Sequence, residues 1–319
     1  MTPPEFQPRG VIPACLMPFD ADLEIDEPTY RLHLRDLAQV TGVTAITING
    51  HASEVHALTL DEQRRSMEIA IDEVGGEVPL IVGICTPNVR DAAGLARMAT
   101  ELGASGLLVF PSEVLALGGQ MRPEMPLAHF SSIADATPLP LVLFQYPLAG
   151  GLGYPLKTLL MLCEKIPTIH AIKDWCNDPK LHEQHIRELH ALDRRVNVLS
   201  THSAWLLSSL VLGCDGLLSG AGSVVAHLQV ALFEAIKRGD LPAAQAINDK
   251  LYPTVQAFYC DPVVDMHNRM KEALVQLGRF PAAHVRPPLV KLPESQLQQI
   301  GQLLEAAGLT PQTVYREIT

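Results

Sequence analysis

Short, continuously apolar runs alternate along the chain with longer stretches in which apolar residues recur at helical spacing. The apolar runs fall at residues 11–16, 43–48, 79–84, 106–110, 139–144, 168–172, 196–200 and 216–218. The helical patterns that follow them cover residues 28–40, 60–74, 89–102, 126–136, 155–165, 179–192, 203–212 and 224–238. Runs that are apolar throughout, without polar alternation, are typical of parallel strands covered on both faces.

Eight strand–helix units in succession are the sequence rhythm of a (β/α)8 TIM barrel. A doubly wound open sheet has the same local pattern, but the count of eight favours the barrel. Beyond residue 240 only helical patterns remain, at 241–258, 262–277 and 293–307. We therefore predict an α/β fold with a TIM barrel over residues 1–240 and a C-terminal helical extension over residues 241–319.

Composition and charge narrow the class of protein. The 319 residues are 47% apolar and 18% charged, which is typical of a globular protein and not of a disordered chain. The net charge of −11 makes nucleic acid an unexpected partner, because a phosphate backbone requires a basic surface. No apolar run is long enough to span a membrane, and the segment MTPPEFQPRG has no apolar signal-peptide core. The six cysteines are widely scattered. We therefore expect a cytoplasmic protein with reduced thiols.

In a TIM barrel the functional residues lie at the carboxyl ends of the strands, and Lys173 is the most informative residue there. It follows the apolar run TIHAI. Burial at a barrel mouth disfavours the ammonium form, and a neutral amine can attack a carbonyl to form a Schiff base. A lysine that extends to solvent or pairs with Asp174 fits the same position. From position alone, both interpretations remain open.

Several segments resemble the dihydrodipicolinate synthase / N-acetylneuraminate lyase family of class I aldolases. They are GVIPACLMPFDAD near the start, ASEVHALTLDEQ after the second strand, VGICTPNVRDAAGLARMATELGASGLL, IHAIKD, LVLGCDGLLSGAGSV, KRGDLPAAQAINDKL and MKEAL near the end. The resemblance implies a TIM barrel with a helical extension, a homotetramer built as a dimer of dimers, and an imine between Lys173 and pyruvate or another 2-oxo acid. It implies no metal and no cofactor.

The sequence departs from this family pattern at the mouth of the barrel. The family's G-T-T-G-E-like loop reads Gly50-His51-Ala52-Ser53-Glu54 here. Its usual general acid/base tyrosine is replaced by Phe144, and its arginine for a second carboxylate by Ala149. The tyrosine-bearing segment after the fourth strand reads Pro111-Ser112-Glu113. These losses argue against dihydrodipicolinate synthesis and against sialic acid cleavage, whereas imine formation stays feasible.

We predict three catalytic residues, Lys173 as nucleophile and His51 and Tyr146 as the proton shuttle that replaces the missing tyrosine. The predicted substrate-binding residues are Gly50, Ala52, Ser53, Phe144, Leu218 and Gly220. Weaker candidates for the shuttle are His56, Glu113 and His202, with packing beneath the loop the preferred interpretation for His56. Glu54 is interpreted as a structural carboxylate that accepts from nearby backbone N–H groups. The histidines of the helix after strand six are interpreted as a solvated face; these are His182, His185 and His190.

Three functions remain open. The leading one is a lyase that makes or breaks a C–C bond through the Lys173 imine of a 2-oxo acid. The second uses the same imine to dehydrate a 2-keto-3-deoxy sugar acid. The third is a catalytically degenerate barrel with a binding role. The loss of the tyrosine, threonines and arginine favours the third function, and the retention of Lys173 in its strand context opposes it.

Overall fold

The computed structural model describes residues 6–311. Two sequence predictions reach beyond this range. The first five residues of the proline-rich N-terminal segment and residues 312–319 of the predicted extension lie outside the described residues.

Eight parallel strands form one sheet in which sequential strands are neighbours, in the order β1-β8-β7-β6-β5-β4-β3-β2. The strands are β1 (Gly10–Pro13), β2 (Ile46–Ile48), β3 (Leu80–Ile84), β4 (Gly106–Val109), β5 (Leu141–Gln145), β6 (Ile169–Asp174), β7 (Asn197–Ser200) and β8 (Gly216–Ser219). Between β1 and β2 the sheet is joined by the isolated parallel bridges Val11–Val43 and Ala14–Thr47. The strands thus form a nearly closed barrel, which confirms the predicted TIM barrel and excludes the open sheet.

A helix follows every strand, and three more helices complete the described chain. The helices are α1 (Glu27–Ala38), α2 (Leu60–Val74), α3 (Val89–Leu102), α4 (Glu124–Ala134), α5 (Leu156–Lys165), α6 (Pro179–His190), α7 (Leu206–Val211), α8 (Gly222–Lys237), α9 (Leu241–Phe258), α10 (Met266–Gln276) and α11 (Glu294–Ala306). Helix α9 packs against α8, α10 and α11. Helices α9, α10 and α11 form the predicted C-terminal extension. No described helix combines the length and the apolar character that a bilayer crossing requires.

Local sequence signals account for the helix ends. Thr59 and Glu62 form a capping box at the start of α2, in which each side chain binds the backbone N–H of the other residue. Asp178 accepts from the backbone of Lys180 at the start of α6, which begins with Pro179. Such caps satisfy backbone donors that the first helical turn leaves without partners.

A glycine is required where β3 passes the end of β2. A Cβ atom on Gly83 would lie 1.8 Å from the backbone oxygen of Asn49, closer than any side chain tolerates. Only glycine lets the two strand ends approach this closely. The approach fixes the start of the loop after β2, which the sequence predicts to carry functional residues.

The extension is attached to that same loop by Arg286, which follows α10. Its guanidinium donates to the backbone oxygens of Leu23 and Ala57, both at 2.8 Å. It also pairs with Glu62, 2.9 Å from Nη1 to Oε2, and the guanidinium holds the pKa of that carboxyl at about 2. One arginine of the extension thus binds the end of the β2 loop and the first turn of α2.

Candidate active site

A small cavity of about 30 Å³ lies at the carboxyl ends of the strands, where the resemblance places the chemistry. Its walls come from the ends of six strands and from the extension. The lining residues are Ala14, His51, Ala52, Phe144, Lys173, Trp175, Thr201, Gly220, Tyr259, Met266 and His267. The enclosed part holds only one or two waters, and the cavity is open to solvent at its mouth, so a larger reactant extends beyond the enclosed part.

Lys173 lies at the centre of this arrangement. It stands in β6 in register with Phe144 of β5, and its Nζ lies 4.2 Å from the centre of the Phe144 ring. The side chain is 4% exposed, and among residues 6–311 its Nζ has no hydrogen bond or ion pair. Burial lowers the pKa of Lys173 to about 7. A large fraction of the amine is therefore neutral near pH 7.

The alternative partner of Lys173, Asp174, points elsewhere. Successive side chains of a strand leave it on opposite faces, so Lys173 faces the barrel interior and Asp174 faces the helices. The Asp174 carboxylate accepts from the Nδ1 atoms of His182 and His185, at 2.8 and 2.7 Å. It also accepts from the backbone N–H of Cys176 at 2.9 Å. It does not neutralise the Lys173 ammonium.

His51 and Tyr146 form a hydrogen-bonded pair beside Lys173. The phenol oxygen of Tyr146 lies 2.7 Å from His51 Nε2. Burial lowers the pKa of His51 well below its ordinary value, and the nearby Lys173 lowers it further. Burial raises the pKa of Tyr146, as do Cys85 and Glu113. Both rings are therefore neutral near pH 7, and the pair holds one exchangeable hydrogen bond next to the amine.

The other predicted substrate-binding residues divide into two groups. Ala52, Phe144 and Gly220 line the cavity, whereas Gly50, Ser53 and Leu218 are not among its lining residues. The Ser53 hydroxyl donates to the backbone oxygen of Cys15 at 2.7 Å. This bond attaches the loop after β2 to the chain that follows β1.

Glu54 has a different partner from the predicted one. Its carboxylate forms a buried ion pair with Lys271 of α10, and both side chains are at most 1% exposed. The expected bonds from nearby backbone N–H groups are therefore wrong, because the extension brings an ammonium group to the carboxylate. Glu54 has a left-handed φ of 50°, which turns the loop at this point.

His56 and Glu113 lie outside the Lys173 cavity. Both are exposed, so packing beneath the loop is wrong for His56. Together with Cys85 they line a separate cleft of about 340 Å³ beside the loops after β2, β3 and β4. Tyr146 lies close enough to Glu113 and Cys85 for their charges to raise its pKa.

The prediction of a solvated histidine face on α6 is wrong for His182 and His185. Both side chains are completely buried, because this face of α6 packs on the outer side of β6 and meets Asp174 there. The two histidines hold the pKa of the Asp174 carboxyl far below its usual value despite burial. His190, also on α6, is partly buried and contacts Asp215 at 2.7 Å.

One group of buried side chains in the described chain has the composition of a metal site. Asp174, Cys176 and His202 place one possible ligand atom each within 4.8 Å of one another. These atoms have protein partners, however. His202 Nε2 accepts from the backbone N–H of Asn177 at 3.1 Å, and the Cys176 thiol donates to the backbone oxygen of Asp178 at 3.3 Å. The group is satisfied as a hydrogen-bonded network behind β6.

The extension contributes cavity residues that the sequence analysis missed. Tyr259 follows α9, and Met266 and His267 begin α10. Helix α10 is buried over residues 267–274 although that stretch includes charged and polar residues. A short helix with so many polar side chains and no clear polar face is the signal that could have pointed to a site.

The comparisons with known proteins agree with one another. A model of the dihydrodipicolinate synthetase family matches residues 7–307. The chain is 30% identical to a 4-hydroxy-tetrahydrodipicolinate synthase of Methanopyrus kandleri over 96% of this chain and 99% of that protein. It is 28% identical to YagE of Escherichia coli K12, whose name proposes a 2-dehydro-3-deoxy-D-gluconate aldolase, over 94% and 97% of the two chains.

Solved structures show the same similarity. The crystal structure of YagE from E. coli K12 in complex with pyruvate superposes with a TM-score of 0.86 at 27% identity, covering 94% of this chain and 99% of that chain. A dihydrodipicolinate synthase structure superposes with a TM-score of 0.83 at 26% identity, covering 94% of this chain and 99% of that chain.

Proposed function

The chain belongs to the dihydrodipicolinate synthetase family, and from that premise we propose that Lys173 forms a Schiff base with pyruvate or another 2-oxo acid. Members of this family are lyases of the aldolase type, and so is this chain. The state of the Lys173 amine carries the proposal. The amine is buried and faces the cavity, and it has no hydrogen bond or ion pair among residues 6–311. Its pKa is lowered to about 7.

The proposed chemistry follows from a neutral amine in an enclosed site. The neutral Lys173 nitrogen adds to the C2 carbonyl of the 2-oxo acid, and the resulting hydroxyl leaves as water after it takes up one proton from solvent, which leaves a protonated imine. In the cleavage direction the electron pair of the C3–C4 bond moves toward the imine nitrogen, and the C4 hydroxyl gives up its proton as an aldehyde departs. The resulting enamine takes a proton at C3, and water then releases the 2-oxo acid from Lys173.

His51 and Tyr146 are proposed to move the protons. The neutral phenol of Tyr146 donates to His51 Nε2, which places the proton of the imidazole on Nδ1, the nitrogen without a partner among residues 6–311. A proton delivered to one end of the pair can leave from the other. This pair takes the place of the tyrosine that Phe144 replaces.

The carboxylate of the 2-oxo acid has a site in the loop after β2. The backbone N–H groups of His51 and Ala52 donate to no group within the described chain, and both residues line the cavity. Two adjacent backbone donors in a turn bind an anion well. These two donors take the place of the two threonines of the family's loop.

Dehydration of a 2-keto-3-deoxy sugar acid remains the alternative, because it begins with the same imine. In that reaction the enamine expels a β-hydroxyl as water, and no C–C bond breaks. The free, neutral amine of Lys173 argues against a purely binding role.

A homo-oligomer is proposed from the surface after β4. Val114, Leu117 and Met121 are 67%, 96% and 77% exposed on two adjacent 3-10 turns. Exposed apolar side chains this close together are typical of protein contacts. A second copy of the chain is the proposed partner, and the family habit of a dimer of dimers makes the proposed assembly a tetramer.

Borohydride reduction in the presence of pyruvate tests the proposed function. We expect intact mass to show one reduced pyruvate adduct, peptide mapping to place it on Lys173, and Lys173→Ala to form none. Lys250→Ala, which removes an exposed lysine of α9, serves as the control. The absence of an adduct across a panel of 2-oxo acids would refute both imine reactions, and product analysis separates cleavage from dehydration.

A further inference from the structure

His267 is a buried histidine without a hydrogen bond in the cavity that holds Lys173. It is 8% exposed and begins α10, a helix that belongs to the extension and not to the barrel. Within residues 6–311 neither of its ring nitrogens has a hydrogen-bond partner; its ring lies 6.5 Å from that of His51, centre to centre. Neither nitrogen is sealed from the cavity, so a ligand there can meet the donor and the acceptor of the imidazole.

Gly220 leaves the space in front of His267 open. A Cβ atom on Gly220 would lie 3.1 Å from His267 Nε2, so any side chain at this position would press against the imidazole. The glycine at the end of β8 therefore keeps that nitrogen accessible from the cavity.

The imidazole of His267 is uncharged. Burial, with smaller contributions from the charges of Lys173, His56 and Lys271, lowers its pKa to about 3. A neutral imidazole donates at one nitrogen and accepts at the other, which suits a hydroxyl or carbonyl group. It does not suit a carboxylate or phosphate, which a cationic side chain binds far better.

Apart from His51, Thr201 and Lys173, the remaining walls are apolar or aromatic. Phe144, Trp175 and Met266 line the cavity, together with the ring of Tyr259, whose hydroxyl accepts a hydrogen bond from Ser203 at 2.8 Å. Lys173 is the one cationic side chain among the lining residues in the described part of the chain, and the proposed imine occupies it. A polyhydroxylated or doubly anionic reactant would leave many of its polar groups without partners here.

From these observations, and resting on the Lys173 imine proposed above, we infer that His267 binds the oxygen of the second reactant, an uncharged aldehyde with an apolar or aromatic body. In the cleavage direction this is the C4 hydroxyl of a 4-hydroxy-2-oxo acid. The 2-oxo acid supplies the only carboxylate of the complex, and the aromatic rings pack on the aldehyde's carbon skeleton.

The buried ion pair between Lys271 and Glu54 holds His267 in place. Lys271 lies one helical turn after His267 on α10, and Glu54 lies three residues after His51 in the loop after β2. Residues four apart share a helix face. The pair therefore fixes the two histidines relative to each other across the cavity.

Aldol addition of pyruvate to a panel of aldehydes tests the inference. The panel contains benzaldehyde and isobutyraldehyde, glyceraldehyde as a hydroxylated aldehyde, and glyoxylate and succinic semialdehyde as charged ones. Product is measured by mass after an acid quench. For the wild-type enzyme we expect kcat/KM for the two uncharged apolar aldehydes to exceed that for the charged ones by about tenfold or more.

Variants of His267 give the second measurement. We expect His267→Ala to raise the KM for the apolar aldehydes about tenfold, the effect of one unmade hydrogen bond at a buried group, and His267→Gln to recover part of the loss. His284→Ala on the same extension is the matched control, since the substitution keeps the backbone oxygen that Lys271 binds. Borohydride trapping of pyruvate should be equal in all of these proteins.

The outcomes separate the two proposals. If the wild-type enzyme traps no 2-oxo acid, the imine itself is wrong. If it traps pyruvate but prefers charged or polyhydroxylated aldehydes, uses none of the apolar ones, or shows the same aldehyde KM in His267→Ala, the inference about His267 is overturned and the imine stands.

Discussion

Lys173 differs from a surface lysine because of where its strand ends. The apolar end of β6 and the ring of Phe144 surround its amine, and no carboxylate compensates the ammonium, since Asp174 lies on the other face of the strand. Desolvation is therefore the dominant influence on its pKa. Strand position alone left the role of Lys173 open, and the resemblance that includes the IHAIKD segment implied that it is the nucleophile.

The rate of adduct formation should depend on pH in a way set by this amine. We expect the rate constant for pyruvate trapping to rise with pH up to about 7, where half of Lys173 is neutral, and to be level above pH 8. An ordinary lysine would give a rate that still rises near its pKa of about 10.4. Stopped-time trapping between pH 5.5 and 9.5 makes the comparison, and a rate that keeps rising to pH 9.5 would contradict the burial argument.

The same burial should cost stability. The folded-state pKa lies below the unfolded one, so the penalty is fully present below pH 7 and disappears as pH rises toward 10.5. Lys173→Met should therefore raise the free energy of unfolding by a few kcal/mol at pH 6, and by less at pH 9.5. Urea unfolding at both pH values measures this, with Lys250→Met as the exposed control; equal effects of the two substitutions would disprove it.

Tyr146 should matter for turnover and not for imine capture. Tyr146→Phe removes the partner of His51 Nε2 at 2.7 Å, so we expect kcat to fall by about 100-fold, the lower end for a general acid/base. The yield of trapped pyruvate should stay near that of the wild-type enzyme. Tyr252→Phe on α9, where the side chain is 61% exposed, is the matched control. Unchanged turnover in Tyr146→Phe would remove the pair from the mechanism.

At the scale of elements, the positions of α6 and α10 explain what the sequence analysis got wrong. On α6 the histidine spacing indicated a polar face, but that face meets the outward carboxylate of Asp174, which a reading of each element alone does not reveal. On α10 Lys271 is buried because Glu54 of the loop after β2 and the backbone oxygen of His284 supply its partners. The Glu54–Lys271 pair joins residues more than 200 positions apart and therefore leaves no local pattern.

The Glu54–Lys271 pair joins the loop after β2 to α10, and we expect the stability of the fold to depend on it. Glu54→Gln leaves the Lys271 ammonium buried without its counter-charge, so we expect a loss of about 3–5 kcal/mol in the free energy of unfolding. The double variant Glu54→Gln/Lys271→Met should recover much of this loss, because it buries no charge. Urea unfolding measures the free energy of unfolding of each variant, with Glu305→Gln on the exposed face of α11 as the control. A double variant as unstable as the single one would refute a charge-based cause.

At the scale of the whole molecule, the barrel and its extension followed from the hydrophobic pattern. Eight apolar runs, each with a helix after it, leave few topologies, and the helices α2, α3 and α9 begin and end at the predicted residues. The cavity was predictable only in its barrel half, through Lys173, His51 and Phe144. His267 and Tyr259 come from helices whose place over the barrel mouth depends on tertiary packing.

The exposed surface after β4 gives a prediction about assembly. We expect Leu117→Lys to lower the molar mass in sedimentation velocity relative to the wild-type protein, because a charge would be buried in the proposed contact. Val290→Lys, a 72% exposed apolar position on the extension, is the control. A wild-type protein that sediments as a monomer, or a Leu117→Lys assembly of unchanged mass, would contradict the proposal.

The contacts between Arg286 and the loop after β2 have a consequence for the design of chimeras between related proteins. Through Arg286 and Lys271 the extension binds Ala57, Glu62 and Glu54, which belong to the loop after β2 and to the helix that follows it. A chimera that takes residues 50–62 from one relative and the extension from another would separate partners that are chosen for each other. We therefore expect these two segments, although they are far apart in the sequence, to be exchangeable only together. A chimera meant to transfer a substrate preference needs both segments from the same relative.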